Sequence, residues 1–191
     1  MTVYIVAPSG LQESDRWFYG GFINFSLKWD GDTACSEYVV PYAGFNGNYR
    51  RLKIFTPNDS SGLPALANSS QGILSDPSQL VISGNATALL LYSIEVPTRI
   101  LSATMVSSTG KVVGYLGYGY VEYDIRNLPL GETPVSGAII ANSVFSDKEE
   151  TTEVDVPPGR YHARLMALYP FGNPKNPEDY QTWDSPEFTI A

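Results

Sequence analysis

Cysteine and histidine are almost missing from this sequence, which holds one of each, Cys35 and His162. A single Cys excludes an internal disulfide framework, and one Cys with one His cannot assemble a structural zinc site. Basic residues are also scarce. The 12 Lys and Arg are scattered and outnumbered by 20 Asp and Glu, which leaves a net charge of −8 at pH 7. That balance argues against nucleic acid as a partner, because affinity for a phosphate backbone comes mostly from clustered Lys and Arg. No run reaches the roughly 18 apolar residues of a membrane span, and the longest candidate, Ala86 to Ile94, is strand length. No Gly-rich loop ending in Lys is present to cradle a phosphate. Neither a metal nor a cofactor is expected.

What the sequence does contain points to strands. Its 191 residues suit one good-sized domain or two small ones. Apolar residues make up 43% and charged residues only 17%, with 17 Gly, 14 Pro, 13 Tyr, 8 Phe and 3 Trp, a composition of strands and turns. Period-2 alternation predicts strands at Val3 to Ala7, Phe18 to Leu27, Glu37 to Tyr42, Ala88 to Val96, Ile100 to Ser107, Val112 to Tyr123, Gly137 to Phe145, Thr152 to Val156, Arg160 to Leu168 and Glu187 to Ile190. Asp30-Gly31, Ser108 to Lys111 and Pro157-Pro158-Gly159 supply the turns between them. The expected fold is all-β, an immunoglobulin-like or fibronectin-III-like antiparallel sandwich. Residues 1–49 read as terminal strands, 50–87 as a connector rich in Ser, Asn, Gly and Pro, and 88–191 as the sandwich.

In sandwiches of this kind the penultimate strand often opens with a turn and a Tyr that bonds back across the corner. Tyr161, two residues after Gly159, is the candidate, its alternative being an ordinary half-buried strand Tyr. Two longer stretches carry a family resemblance. Phe18-Tyr-Gly-Gly-Phe-Ile-Asn-Phe25 with Tyr38-Val-Val-Pro-Tyr-Ala-Gly-Phe-Asn-Gly-Asn-Tyr49 resembles the end of the fibronectin-III-like domain that follows the catalytic domain of subtilisin-like serine proteases, especially large secreted fungal ones. Gly159-Arg-Tyr-His-Ala-Arg-Leu-Met-Ala-Leu-Tyr-Pro-Phe-Gly-Asn173, continuing through Glu178-Asp-Tyr-Gln-Thr-Trp-Asp-Ser-Pro-Glu-Phe-Thr-Ile190, is similar to the extreme C-terminus of those enzymes. Subtilisin-like catalysis needs an Asp, a His and a nucleophilic Ser brought together. Here the only imidazole, His162, falls in a strand pattern, and no Gly-Thr-Ser or His-Gly-Thr segment occurs, so the chain is expected not to be an enzyme. The resemblance also implies that the first three strands lack their sandwich partners. They are expected to pack on the C-terminal strands or against another copy, which makes a homo-oligomer the expected state.

Three groups of residues are candidates for carbohydrate binding. Tyr118 and Tyr120 share a face of an alternating strand, and Gly117 and Gly119 would admit a ligand or serve packing. Trp29 with Asp30 and Asp32 sets an aromatic platform beside two carboxylates, although Asp30-Gly31 also reads as a plain turn. Tyr180, Trp183 and Asp184 lie in a loop from Asn173 to Asp184 that could bind a sugar or close the sandwich. A glycosidase would need two convergent acids, such as Asp30 or Asp32 with Glu122, and is disfavoured.

Four Asn-x-Ser/Thr acceptors, at Asn24, Asn58, Asn68 and Asn85, suggest a secretory route. Asn58, Asn68 and Asn85 are the expected glycan carriers, whereas Asn24 falls inside a strand. Met1 to Ala7 has neither the basic start nor the apolar stretch of a signal peptide, so a secreted chain would be a processed piece or have lost its leader. Cys35 would then be a free thiol or the anchor of an intermolecular bridge. The expected function is a non-catalytic, secreted, lectin-like module binding glycans or glycoproteins. The alternative is a structural or substrate-positioning accessory domain that works with a subtilisin-like catalytic domain.

Overall fold

The computed structural model describes residues 4, 6, 9–10, 18–28, 35–57, 62–68, 72–76, 79–124 and 136–191. The chain divides into two compact units, Met1–Arg51 and Leu52–Ala191. In the first, β1 (Phe18–Lys28) and β2 (Cys35–Phe45) pair antiparallel along their whole length, from Phe18 opposite Phe45 to Lys28 opposite Cys35. The Tyr19 ring lies over Gly44, its cross-strand partner, and fills the space a side chain would take. Of the strand expected at Val3 to Ala7 only Tyr4 and Val6 are described, both exposed and neither in a strand, and the hairpin tip Trp29-Asp30-Gly31-Asp32 lies outside the described residues.

The second unit holds β3 (Ala65–Asn68), β4 (Gly72–Ile73), β5 (Val81–Ile82), β6 (Ala88–Tyr92), β7 (Thr98–Ser107), β8 (Val112–Asp124), β9 (Ser136–Ile140), β10 (Ser143–Phe145), β11 (Glu153–Asp155), β12 (Gly159–Leu168), β13 (Tyr180–Asp184) and β14 (Phe188–Ile190). They are hydrogen-bonded in the order β4-β3-β6-β9-β8-β7-β12-β14-β5, with β13 beside β12, and β10 beside both β8 and β11. All these pairings are antiparallel except β14 with β5, which is parallel. The sheet curls. As a result the inward residues of β6 and β9 (Leu90, Ala138, Ile140) share one core with those of β7, β8 and β12 (Leu101, Ala103, Leu116, Ala163, Leu165). The all-β class follows from the sequence as expected. The strands came from alternation and the turns from local chemistry, as at Ser108 to Lys111, where Gly110 takes φ 83° and its N–H donates to the Ser107 carbonyl at 2.8 Å.

Two stretches differ from the sequence reading. The segment 50–87 is not a connector, because 52–87 belongs to the second unit and carries β3, β4 and β5. Ile54, Phe55, Leu66 and Ile82 are core residues, each no more than 1% exposed. Ile54 and Phe55 lie outside any strand, so their backbone groups need other partners. Gln181 supplies two of them, its Oε1 accepting from the Ile54 N–H at 2.6 Å and its Nε2 donating to the Phe55 carbonyl at 2.5 Å. The Glu95 N–H donates to the Ile54 carbonyl at 2.7 Å. The second difference is at Tyr180 to Asp184. These residues form strand β13, in register with Arg164–Leu168 of β12, and not the end of a loop.

Tyr161 makes the bond expected of a corner tyrosine. Its hydroxyl donates to the Pro157 carbonyl at 2.7 Å, four residues upstream across the Pro157-Pro158-Gly159 turn, while the ring is 7% exposed.

Candidate functional site

The outer face of β8, β7, β12 and β13 is where the candidate side chains gather. Register defines its rows. Ser102 of β7 stands opposite Tyr120 of β8 and Met166 of β12, and Met166 stands opposite Thr182 of β13. In the next row Thr104 stands opposite Tyr115 and Arg164, and Arg164 stands opposite Asp184. Tyr180 lies two residues from Thr182 on the same face, because strand side chains alternate. Adjacent strands are ~4.8 Å apart, so the row from Tyr120 to Thr182 is about 14 Å wide.

A bulge places the tyrosines. Between the pairs Ser102–Tyr120 and Thr104–Tyr115, Ala103 alone faces the four residues Leu116 to Gly119. The extra residues reach toward β9, where Gly117 stands opposite Ile139. They also break the alternation, so Tyr115 and Tyr120, of opposite parity in sequence, become neighbours with ring centroids 6.0 Å apart and planes at 88°. Edge-to-face geometry of this kind is favourable for aromatic pairs. Tyr118 sits in the bulge with φ 56° and is 70% exposed, so it does not share a face with Tyr120 as expected. Gly119 admits no ligand either. A Cβ there would lie 2.5 Å from the Leu116 carbonyl oxygen and 2.6 Å from that of Ala103, and its N–H donates to Glu150 Oε1 at 3.2 Å. The two glycines mark a bulge, a known meaning of Gly inside a strand, and that was the signal in the sequence that could have pointed to Tyr115.

Ion pairs border the face on two sides. On β8 the Tyr120 hydroxyl donates to Glu122 Oε1 at 2.9 Å, and Lys148 Nζ donates to the same oxygen at 3.1 Å while lying 4.9 Å from the Tyr120 ring centroid. Burial, and then the adjacent Glu122 carboxylate, raise the Tyr120 phenol above its ordinary pKa. The same hydrogen bonds, first from Tyr120 and then from Lys148, lower Glu122. On β12 and β13 Arg164 holds Asp184 bidentately, Nε to Oδ1 at 2.7 Å and Nη2 to Oδ2 at 2.8 Å, and this keeps the Asp184 carboxyl below its usual range. His162, in β12 as expected, has Nε2 3.6 Å from Asp184 Oδ2, and that nitrogen is buried without a hydrogen-bond partner. Ser185 is 7% exposed, and its hydroxyl is taken by the Ala163 N–H and the Pro186 carbonyl.

Of the predicted sugar-binding residues, the fold therefore brings Tyr120, Tyr180 and Asp184 onto one face and adds Tyr115 and Arg164. Burial raises the Tyr180 phenol, whose hydroxyl donates to the Pro174 carbonyl at 3.2 Å. Trp183 is on the other side. Opposite Leu165, it packs against the core and lines a groove of about 470 Å³ with Pro64, Leu66, Leu74 and Pro186. Trp29, Asp30, Asp32 and Asn58 lie outside the described residues. Asn68 is half-buried at the end of β3, and Asn85 is exposed in the turn between β5 and β6. Among the described residues no group of three or more His, Cys, Asp or Glu could hold a metal, and no helix is long and apolar enough to cross a membrane. No protein-family model matches the chain, and no curated protein does.

Proposed function

We propose that the chain is a non-catalytic, secreted binding module with an immunoglobulin- or fibronectin-III-like sandwich fold. Its ligand is a carbohydrate or glycoprotein, held on the outer face of β8, β7, β12 and β13. The observation that carries this reading is the joining of Tyr115, Tyr120 and Tyr180 with Asp184 on that face. Tyr rings offer a flat apolar surface to the C–H face of a sugar, and a carboxylate accepts two hydrogen bonds from neighbouring hydroxyls. The corner bond of Tyr161 supports the sandwich class. Self-association is part of the proposal, since avidity makes weak sugar sites useful. Phe22, Tyr38 and Val39 support it, being more than half exposed on a two-stranded ribbon that is marginal on its own.

The test is a glycan-array screen of the folded chain, followed by Tyr115→Ala, Tyr120→Ala and Tyr180→Ala. Competable binding that at least two of these variants weaken tenfold or more is the expected result. A blank array from folded protein, or binding untouched by all three, overturns the reading.

A second reading is favoured by Tyr161, because the corner falls inside the stretch that resembles the C-terminal region of fungal subtilisin-like proteases. Under it the chain is a structural or substrate-positioning accessory domain. It would then be retained by an immobilised subtilisin-like catalytic domain and would bind no glycan.

A further inference from the structure

We propose that Asn85 is an N-glycan acceptor, substituted by an oligosaccharide from a lipid diphosphate donor; the idea rests on the secreted location proposed above. The acceptor triplets are not equivalent in the fold. Asn24 lies in the middle of β1, opposite Val39 of β2. Asn68 pairs with Gly72 and lines a cavity of about 530 Å³ with Leu74, Asp76 and Gln79. Asn85-Ala86-Thr87 instead crosses a tight turn, in which the Ala86 N–H donates to the Ser83 carbonyl at 3.0 Å and Gly84 takes φ 56°. All residues from Ser83 to Thr87 are exposed.

Two features make this turn suitable for a glycan. Asn85 is exposed, as are its four neighbours in the turn, so its side chain is open to substitution. The flanking residues Ile82 and Ala88 are each 1% exposed, which anchors the turn in the core. The site also leaves the tyrosine face open. Ile82 pairs with Ile190 beside Gly159 at the start of β12, whereas Tyr180 pairs with Leu168 at its end. At ~3.3 Å per residue those ends are about 30 Å apart, and the row of Arg164 with Tyr115 and Asp184, five residues from Gly159, is about 16 Å away. In the transfer, Asn85 Nδ2 bonds to the anomeric carbon of the sugar as that carbon's bond to the diphosphate oxygen breaks. The diphosphate leaves with the bonding electrons, and one amide proton passes to a base of the transferase.

The experiment translates the full chain, behind a cleavable leader, in the presence of microsomes. Glycans are released with an amidase in heavy-oxygen water, which turns each occupied Asn into labelled Asp for peptide mapping. The Asn85 peptide is expected to carry the label, to lose it in Asn85→Gln and Thr87→Ala, and to keep it in Thr87→Ser. Microsomes read the acceptor without requiring secretion, so a labelled Asn85 in a chain that cells retain would sink the secreted location and not the acceptor. An unlabelled Asn85 peptide from microsome-processed wild type, or a gel shift that persists unchanged in Asn85→Gln, overturns the proposal.

Discussion

Replacing Gln181 tests whether one side chain holds the irregular stretch at Ile54 and Phe55 in the core. Its amide bonds the Ile54 N–H at 2.6 Å and the Phe55 carbonyl at 2.5 Å, 127 and 126 residues away in sequence. Gln181→Leu keeps the volume and removes both partners. A buried backbone group left unpaired costs about 1–3 kcal/mol, and because these bonds are only partly buried the expected total is about 2–3 kcal/mol. Gln181→Glu gives a second, independent reading. Its carboxylate can still accept from Ile54 but has no proton for the Phe55 carbonyl, so the fold favours the protonated acid and raises its pKa above that of the unfolded chain. The native state then binds more protons than the unfolded state between the two pKa values, and stability falls as pH rises through that window. Gln181→Glu should therefore match wild type near pH 4 and be weaker by about 1–2 kcal/mol at pH 7. The assay is equilibrium urea unfolding followed by tryptophan fluorescence, each variant against wild type at the same pH. A Gln181→Leu protein within about 0.5 kcal/mol of wild type, or a Gln181→Glu deficit equal at both pH values, refutes the reasoning.

Three further outcomes are expected. Tyr161→Phe removes only the bond to Pro157 and should cost about 1 kcal/mol in urea unfolding, with far-ultraviolet circular dichroism unchanged. Gly119→Ala forces a Cβ against the Leu116 and Ala103 carbonyl oxygens and should cost about 2–3 kcal/mol, while a loss below 0.5 kcal/mol would mean the bulge relaxes freely. Asp184 is held below its usual pKa by Arg164, so the stability it adds is present above the unfolded carboxylate pKa and lost as pH falls through the folded one. With the Asp184 side chain 42% exposed, solvent screening leaves this at about 0.5–1 kcal/mol, and Asp184→Asn should remove that part of the pH dependence.

The strands β1, β2, β7, β8 and β12 were legible because alternation and turn residues act over a few positions, and Tyr161 was legible because its partner lies four residues upstream. Those features depend on neighbours in the chain. The place of Ile54 and Phe55 could not be read this way, because an aperiodic segment enters a core only when distant groups satisfy its backbone, and here that group is Gln181. Strand β13 was hidden for a similar reason: its five residues follow a loop and gain their structure from β12. The candidate site shows the same division. Tyr120, Tyr180 and Asp184 were visible as residue types, but parity put Tyr118 beside Tyr120, and reading Asn173 to Asp184 as a loop grouped Trp183 with Tyr180. The sequence by itself determined the all-β class and the local corners. Tertiary structure decided which side chains share a face, because a bulge of a few residues against Ala103 reverses the alternation that follows it.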